Sequence, residues 1–174
     1  KILLFVGSDF SRKGLDRAIL GLHHLNEKNI SSNLVVIGDD KSKPYENLIA
    51  EASLFKKVHF LGPRKDVASF MKSADLLIHP AREEAAGNII IEALVSGLPT
   101  LVTSEVGFSS EVLKFRSGTV LEGEFNQNRF NLLLEESVSD KNLSYVRSSI
   151  NNLSDKQYFF SRFKFIADFI EETF

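Results

Sequence analysis

The sequence has no cysteine, no tryptophan, a single methionine and only four prolines in 174 residues. Without cysteine there is no disulfide framework, no thiolate zinc site, no iron–sulfur cluster and no thiol nucleophile. An excess of either charge is lacking too: 21 Lys and Arg stand against 23 Asp and Glu, a formal net charge of −2. A dedicated nucleic-acid binder normally shows a basic stripe, so nucleic acid is not an expected partner. Long apolar runs are missing: none approaches the roughly 18 residues of a membrane helix, and no signal peptide is expected. No linker rich in Pro, Gly and Ser divides the chain, and no repeat appears. The remainder, 43% hydrophobic and 25% charged, reads as one globular domain. The chain opens on a strand-like run, Lys1-Ile2-Leu3-Leu4-Phe5-Val6, with no initiator Met. We therefore expect a part of something longer, holding only part of an active site.

What is present is an alternation of short apolar runs and amphipathic stretches. Strands are expected at Ile2–Val6, Leu34–Ile37, Val58–Leu61, Leu76–His79, Thr100–Thr103 and Thr119–Leu121. Between them, helical spacing predicts helices at Leu15–Leu25, Tyr45–Ser53, Asp66–Ser73 with Asp66 as N-cap, Asn88–Val95 and Phe108–Phe115. Apolar strands of this kind, each followed by a helix, predict an α/β fold with a Rossmann-like, doubly wound parallel sheet covered on both faces. Its ligand site belongs at the carboxyl ends of the strands, near the point where strand order reverses. From Asn126 to Asn152 the chain reads as polar helix. Beyond Lys156, Phe159, Phe163, Ile166, Ile170 and Phe174 share one helical face, which packs either on this domain or on an absent one.

Charge is uneven along the chain. Residues 1–82 hold 13 basic and 9 acidic residues, and residues 83–174 hold 8 and 14. Either this is ordinary surface variation, or the first half faces an anionic ligand. The first loop, Gly7-Ser8-Asp9-Phe10-Ser11-Arg12-Lys13-Gly14, is neither a dinucleotide fingerprint nor a P-loop. It still places two cations at a strand-to-helix turn, where helix amides and positive charge can hold an anion. The loop after the fourth strand runs from Pro80 through Glu84-Ala85-Ala86-Gly87 into a helix that carries Glu92. The amides of Gly87, Asn88 and Ile89 would point at a ligand with the helix dipole behind them. Five helical residues from Asn88 to Glu92 rise roughly 7 Å, enough for two carboxylates to hold hydroxyls on either side of a diphosphate. Taken alone, Glu92 is equally a surface ion-pair partner and Glu84 a helix-dipole partner. His59 and His79 are general bases by residue type, but ordinary hydrogen-bonded histidines are the better expectation.

Glu84 and Glu92, with seven residues between them in the run Glu84-Ala85-Ala86-Gly87…Glu92-Ala93-Leu94…Gly97-Leu98-Pro99, match the E-x7-E motif. With that run the chain resembles the retaining glycosyltransferases of family 4. With Arg12-Lys13-Gly14 and Asp16-Arg17 added, it is similar to the lipopolysaccharide core glucosyltransferases among them. The resemblance runs from Lys1 to about Leu121. It implies the C-terminal, nucleotide-sugar-binding domain of a two-domain GT-B enzyme, spanning 1–174 with C-terminal helices from about 126, while the N-terminal acceptor domain is absent. It implies a hexose, glucose from UDP-glucose, transferred to the heptose of the lipopolysaccharide inner core. No cofactor beyond the donor is required and no metal is implied. By the same resemblance Lys13 meets the diphosphate, Gly7 lies in the donor site, and Glu84 meets the donor sugar beside the backbone of Ala85, Ala86 and Gly87. Asn88 and Ile89 amides cradle phosphate, Glu92 holds the ribose, and Gly62, Arg64, Lys65 and Val67 line the base. Glu84, Lys13 and Arg12 are the catalytic candidates. Ser8 stands where many members have Arg directly after the first-strand Gly, so the diphosphate lacks one cation unless Arg12 or an upstream Arg supplies it. The implied setting is cytoplasmic, with peripheral inner-membrane contact made by the missing domain. Other GT-B enzymes (a sugar synthase, a nucleotide-sugar epimerase) and a non-catalytic nucleotide-binding or interaction domain stay open.

Overall fold

The computed structural model describes residues 1–152, so the phenylalanine stripe beyond Lys156 lies outside the described residues. In chain order the elements are β1 (Ile2–Val6), α1 (Leu15–Glu27), β2 (Asn33–Ile37), α2 (Glu46–Glu51), β3 (Val58–Phe60) and α3 (Val67–Ser73). They continue with β4 (Leu76–His79), α4 (Asn88–Ser96), β5 (Thr100–Thr103), α5 (Ser109–Lys114), β6 (Gly118–Leu121), α6 (Gln127–Ser137) and α7 (Asp140–Asn151). The strands form one six-stranded sheet in the order β3-β2-β1-β4-β5-β6, with every pairing parallel. This is the doubly wound, Rossmann-like α/β architecture that the apolar runs predict.

Successive strand residues point to opposite faces, so a continuous apolar run demands a cover on both sides. Leu3, Phe5, Leu34 and Val36 pack on one face against Ile19 and Leu22 of α1 and Phe130 and Leu134 of α6. Leu4, Val6, Ile37 and Leu77 pack on the other against Met71 of α3 and Ala93 of α4. Each fully buried Leu or Phe contributes roughly 1.5–3 kcal/mol. A further cluster, Ile91 and Leu94 with Val146 and Ile150, seats α7 on α4.

Three local details refine these expectations. Within 126–152 the break between the two helices falls at Ser139, which leaves helical geometry and whose hydroxyl accepts the amide of Asn142 at 3.3 Å, capping α7. Asp66 holds the N-cap position of α3 as expected, but its side chain makes no capping bond, because its carboxylate is taken by Arg64 through two bonds of 2.9 and 2.8 Å. The expected helix from Tyr45 starts instead as a 3-10 turn at Lys43–Tyr45, with buried Tyr45 edge-on to Phe10 at 6.2 Å.

Sheet order fixes where a ligand can go. From β1 the chain winds outward through β2 and β3, and from β4 it winds the opposite way through β5 and β6. β1 and β4 are therefore neighbours whose following helices go to opposite faces, α1 to one and α4 to the other, which puts residues 7–14 and 80–87 at the strand-order reversal, where a sheet of this kind has its ligand crevice.

Candidate functional site

The loop after β1 is pinned from below by Phe10, which is 1% exposed and packs edge-on to Phe5. The Phe10 amide donates to Asp40 at 2.8 Å, tying this loop to the one after β2. The turn closes through Lys13 N–H to Asp9 C=O at 3.0 Å and Leu15 N–H to Phe10 C=O at 2.9 Å. Lys13 then folds its aliphatic chain back over Gly7. A Cβ at Gly7 would stand 2.6 Å from Lys13 Cδ, so only the bare backbone leaves the lysine that path.

The loop after β4 is held by three side chains. Arg17 donates to the carbonyls of Pro80 at 3.1 Å and Ala81 at 3.2 Å, with its guanidinium 3.7 Å from the Phe125 ring centroid. Thr103 Oγ1 donates to the same Ala81 carbonyl at 2.7 Å in a buried setting. Arg82 crosses to α1, making bonds of 2.9 and 2.7 Å to Asp16 and one of 2.7 Å to the Ser11 carbonyl. Its own amide donates to the Arg12 carbonyl at 2.8 Å, so the two loops are joined backbone to backbone. Replacing Thr103 by Val keeps the shape and removes one buried donor. We expect a loss of about 1 kcal/mol in urea denaturation, no more, since Arg17 still satisfies the carbonyl.

Glu84 is where the loops converge. Lys13 Nζ donates to its Oε2 at 2.7 Å, and both side chains are about 15% exposed. Arg12 reaches the same oxygen at 3.5 Å, the Glu83 carbonyl at 2.9 Å and Asp9 at 2.9 Å. Burial works to raise the Glu84 pKa, but the hydrogen bond and charge of Lys13, with Arg12 behind, hold it below the ordinary carboxylate value. His79, the last residue of β4, is fully buried. Burial and the nearby Lys13 charge push its pKa down to about 4, so the ring is neutral at physiological pH. Both its ring nitrogens lack a hydrogen-bond partner among the described residues, and Nε2 lies 3.9 Å from Glu84 Oε2. This is neither the exposed base nor the ordinary hydrogen-bonded histidine expected from sequence. His59, by contrast, bonds Asn33 at 3.2 Å at the surface.

The model for "Glycosyl transferases group 1" matches residues 1–152. The chain belongs to this family. It is 37% identical over 171 residues to the lipopolysaccharide glucosyltransferase WaaG of Escherichia coli K12, covering 97% of this chain and 46% of that protein. The crystal structure of WaaG, described as a glycosyltransferase involved in lipopolysaccharide biosynthesis, superposes with a TM-score of 0.89 over 98% of this chain and 46% of its own. Anabaena HepE in complex with UDP and glucose shares the fold at 19% identity, with a TM-score of 0.77 and coverage of 98% and 48%. The chain thus spans about half the length of these relatives.

In this group 1 glycosyl transferase chain the remaining expected residues fall on the same edge of the sheet, in two groups. Ala85 and Ala86 are exposed, and buried Gly87 precedes α4 with Asn88 and Ile89 in its first turn. The Ala86 carbonyl accepts from Phe108 and the Glu84 amide donates to Glu105, which zips this loop to the one after β5. Glu92 has no ion pair among the described residues, so the surface-bridge alternative is not what the structure shows. The protein around its carboxyl raises its pKa even though the residue is exposed. The second group, Gly62, Arg64, Lys65 and Val67, follows β3, two strands from β1 and so roughly 10 Å away across the sheet. It is tied to the loop after β2 by the Gly38 amide, which donates to the Gly62 carbonyl at 3.1 Å. Each expected Arg is already paired, Arg12 with Asp9 and Arg64 with Asp66, which weakens the idea of a plain cationic patch. Arg17, Arg82 and the burial of His79 were not foreseen. Arg17 left one clue: a cation in the first turn of a helix opposes the dipole and so calls for another partner.

Proposed function

We propose that this chain is the donor-binding half of a retaining glycosyltransferase that moves glucose from UDP-glucose to the heptose of a lipopolysaccharide inner core. One observation carries the reading. Lys13 and Glu84 meet at the strand-order reversal, beside the N-terminus of α4, in a chain 37% identical to a lipopolysaccharide glucosyltransferase. Neighbouring folds crystallised with UDP and glucose support a nucleotide-sugar donor.

On this reading Lys13 and Arg12 face the diphosphate, with the amides of Asn88 and Ile89 at the positive end of the helix dipole. As the bond from the anomeric carbon to the diphosphate oxygen lengthens, negative charge grows on the leaving group. Cations and amides already gathered around the diphosphate once the donor is bound stabilise that charge as it grows. Glu84, kept ionised by Lys13, accepts hydrogen bonds from sugar hydroxyls beside the backbone of Ala85, Ala86 and Gly87, and its charge favours the cationic sugar of the transition state. Glu92 takes the ribose hydroxyls, and Gly62, Arg64, Lys65 and Val67 line the base. The acceptor domain and any peripheral contact with the cytoplasmic face of a membrane belong to sequence outside this chain. The chain by itself therefore binds donor and transfers nothing.

Calorimetry with UDP, UDP-glucose and GDP-mannose tests this. We expect the two uridine ligands to bind and GDP-mannose to bind much more weakly. Glu92→Ala should weaken UDP about tenfold, as loss of a charge-assisted pair implies. No UDP binding would leave an interaction domain as the better reading. Tight GDP-mannose binding would remove the glucosyl reading.

A further inference from the structure

His79 is a buried polar side chain that the donor-site reading leaves unused. Its ring sits at the carboxyl end of β4, 0% exposed, against Phe5 with centroids 6.5 Å apart. Neither ring nitrogen has a hydrogen-bond partner among the described residues, although proteins almost always satisfy such groups. The polar atom it faces is Glu84 Oε2, 3.9 Å from Nε2, and that oxygen is bonded instead to Lys13. The ring has no surface open to the crevice, so it can neither touch a ligand nor exchange a proton with one. Anything it does, it does through Glu84.

We propose that His79 is a positioning residue for Glu84, donating from Nε2–H to Oε2 once Lys13 turns to the diphosphate of a bound nucleotide sugar. The proposal rests on the donor-site reading above. In the free chain Lys13 and Glu84 satisfy each other. A ligand diphosphate competes for the ammonium, and the carboxylate then needs another donor to stay aimed at the sugar. A movement of Oε2 by about 1 Å brings it within the 2.7–3.2 Å of a hydrogen bond to the ring. Arg12 is the other donor near this oxygen, but it is already held by Asp9 and the Glu83 carbonyl. A charged ring would pull on the Glu84 carboxylate itself, in competition with Lys13. A neutral one orients the carboxylate without drawing it away from the sugar.

The test compares UDP with UDP-glucose by calorimetry on the chain and on His79→Leu and His79→Gln. We expect His79→Leu to keep UDP affinity within about twofold and to lose about tenfold for UDP-glucose, a loss the amide of His79→Gln largely restores. Unchanged affinity for both ligands, or equal weakening for both, would overturn the role. So would failure of the Gln variant to recover. Should wild type bind neither ligand, the donor-site reading itself falls. Should wild type bind both while the variants fail to separate them, only the His79 role falls. Where the Leu variant does not fold, nitrogen-15 resonances of the wild-type ring decide: an Nε2–H tautomer whose Nε2 signal shifts with UDP-glucose and not with UDP is expected, and a signal indifferent to both overturns it.

Discussion

Lys13→Met should weaken binding of both UDP and UDP-glucose by about 100-fold, roughly 2.7 kcal/mol. The substitution keeps the aliphatic chain that lies over Gly7 and removes only the ammonium, so packing there survives. What is lost is a cation that is 15% exposed and aimed into the crevice, where a hydrogen bond between charged groups is stronger than at an open surface. Glu84 then keeps Arg12 at 3.5 Å as its companion, which limits the damage to the fold. Arg12→Met should cost less, about tenfold, because that guanidinium is 40% exposed and already shared with Asp9. Titration of both variants, with melting curves as the control for folding, separates the two. Equal affinities for wild type and Lys13→Met would assign the lysine to loop architecture alone.

The architecture was legible because the strands are continuous apolar runs. Leu3 and Leu4 face opposite sides of the sheet and are both fully buried, a condition that only a sheet covered on both faces satisfies. The sites of the two carboxylates were legible too, since Glu84 and Glu92 sit on one loop-to-helix run whose spacing is local. What could not be read is whatever depends on residues far apart in the chain. Arg82 meets Asp16 across 66 positions and Arg17 meets Pro80 across 63, and no periodicity encodes such pairs. Local competition was missed as well. Asp66 had a suitable position to cap α3, but Arg64 two residues earlier offered a bidentate charge-assisted pair, which is the stronger interaction. Ser139 shows the converse. It sat inside a stretch of helical pattern, yet its hydroxyl satisfies an amide that a continuous helix would have bonded elsewhere.

The two loops that form the crevice are separable only in description, and Gly14→Ala should show it. Gly14 occupies a left-handed conformation, φ 77°, at the N-cap of α1. A Cβ there would run into the carbonyl oxygen of Pro80 and come within 2.9 Å of its carbon, with Arg17 Cδ at 3.2 Å on the other side. That carbonyl cannot step aside cheaply, because it accepts from Arg17 and belongs to the same loop that Thr103 anchors through Ala81. Left-handed backbone costs an alanine about 1 kcal/mol, and the collision adds strain of at least the same order again. We expect a loss of about 3 kcal/mol, seen as a melting temperature lower by roughly 6–12 °C. Gly123→Ala supplies the control, since Gly123 has φ 75° with nothing within 4 Å of its Cβ position, and should pay only the conformational part. The difference between the two variants measures how tightly the loop after β1 rests on the loop after β4. A difference near zero would mean that Pro80 moves freely, and Lys13 and Glu84 would then not be held in register by the backbone. A large difference, together with weaker UDP-glucose binding in Gly14→Ala, would mean that the site is set by this glycine-to-carbonyl contact before any ligand arrives.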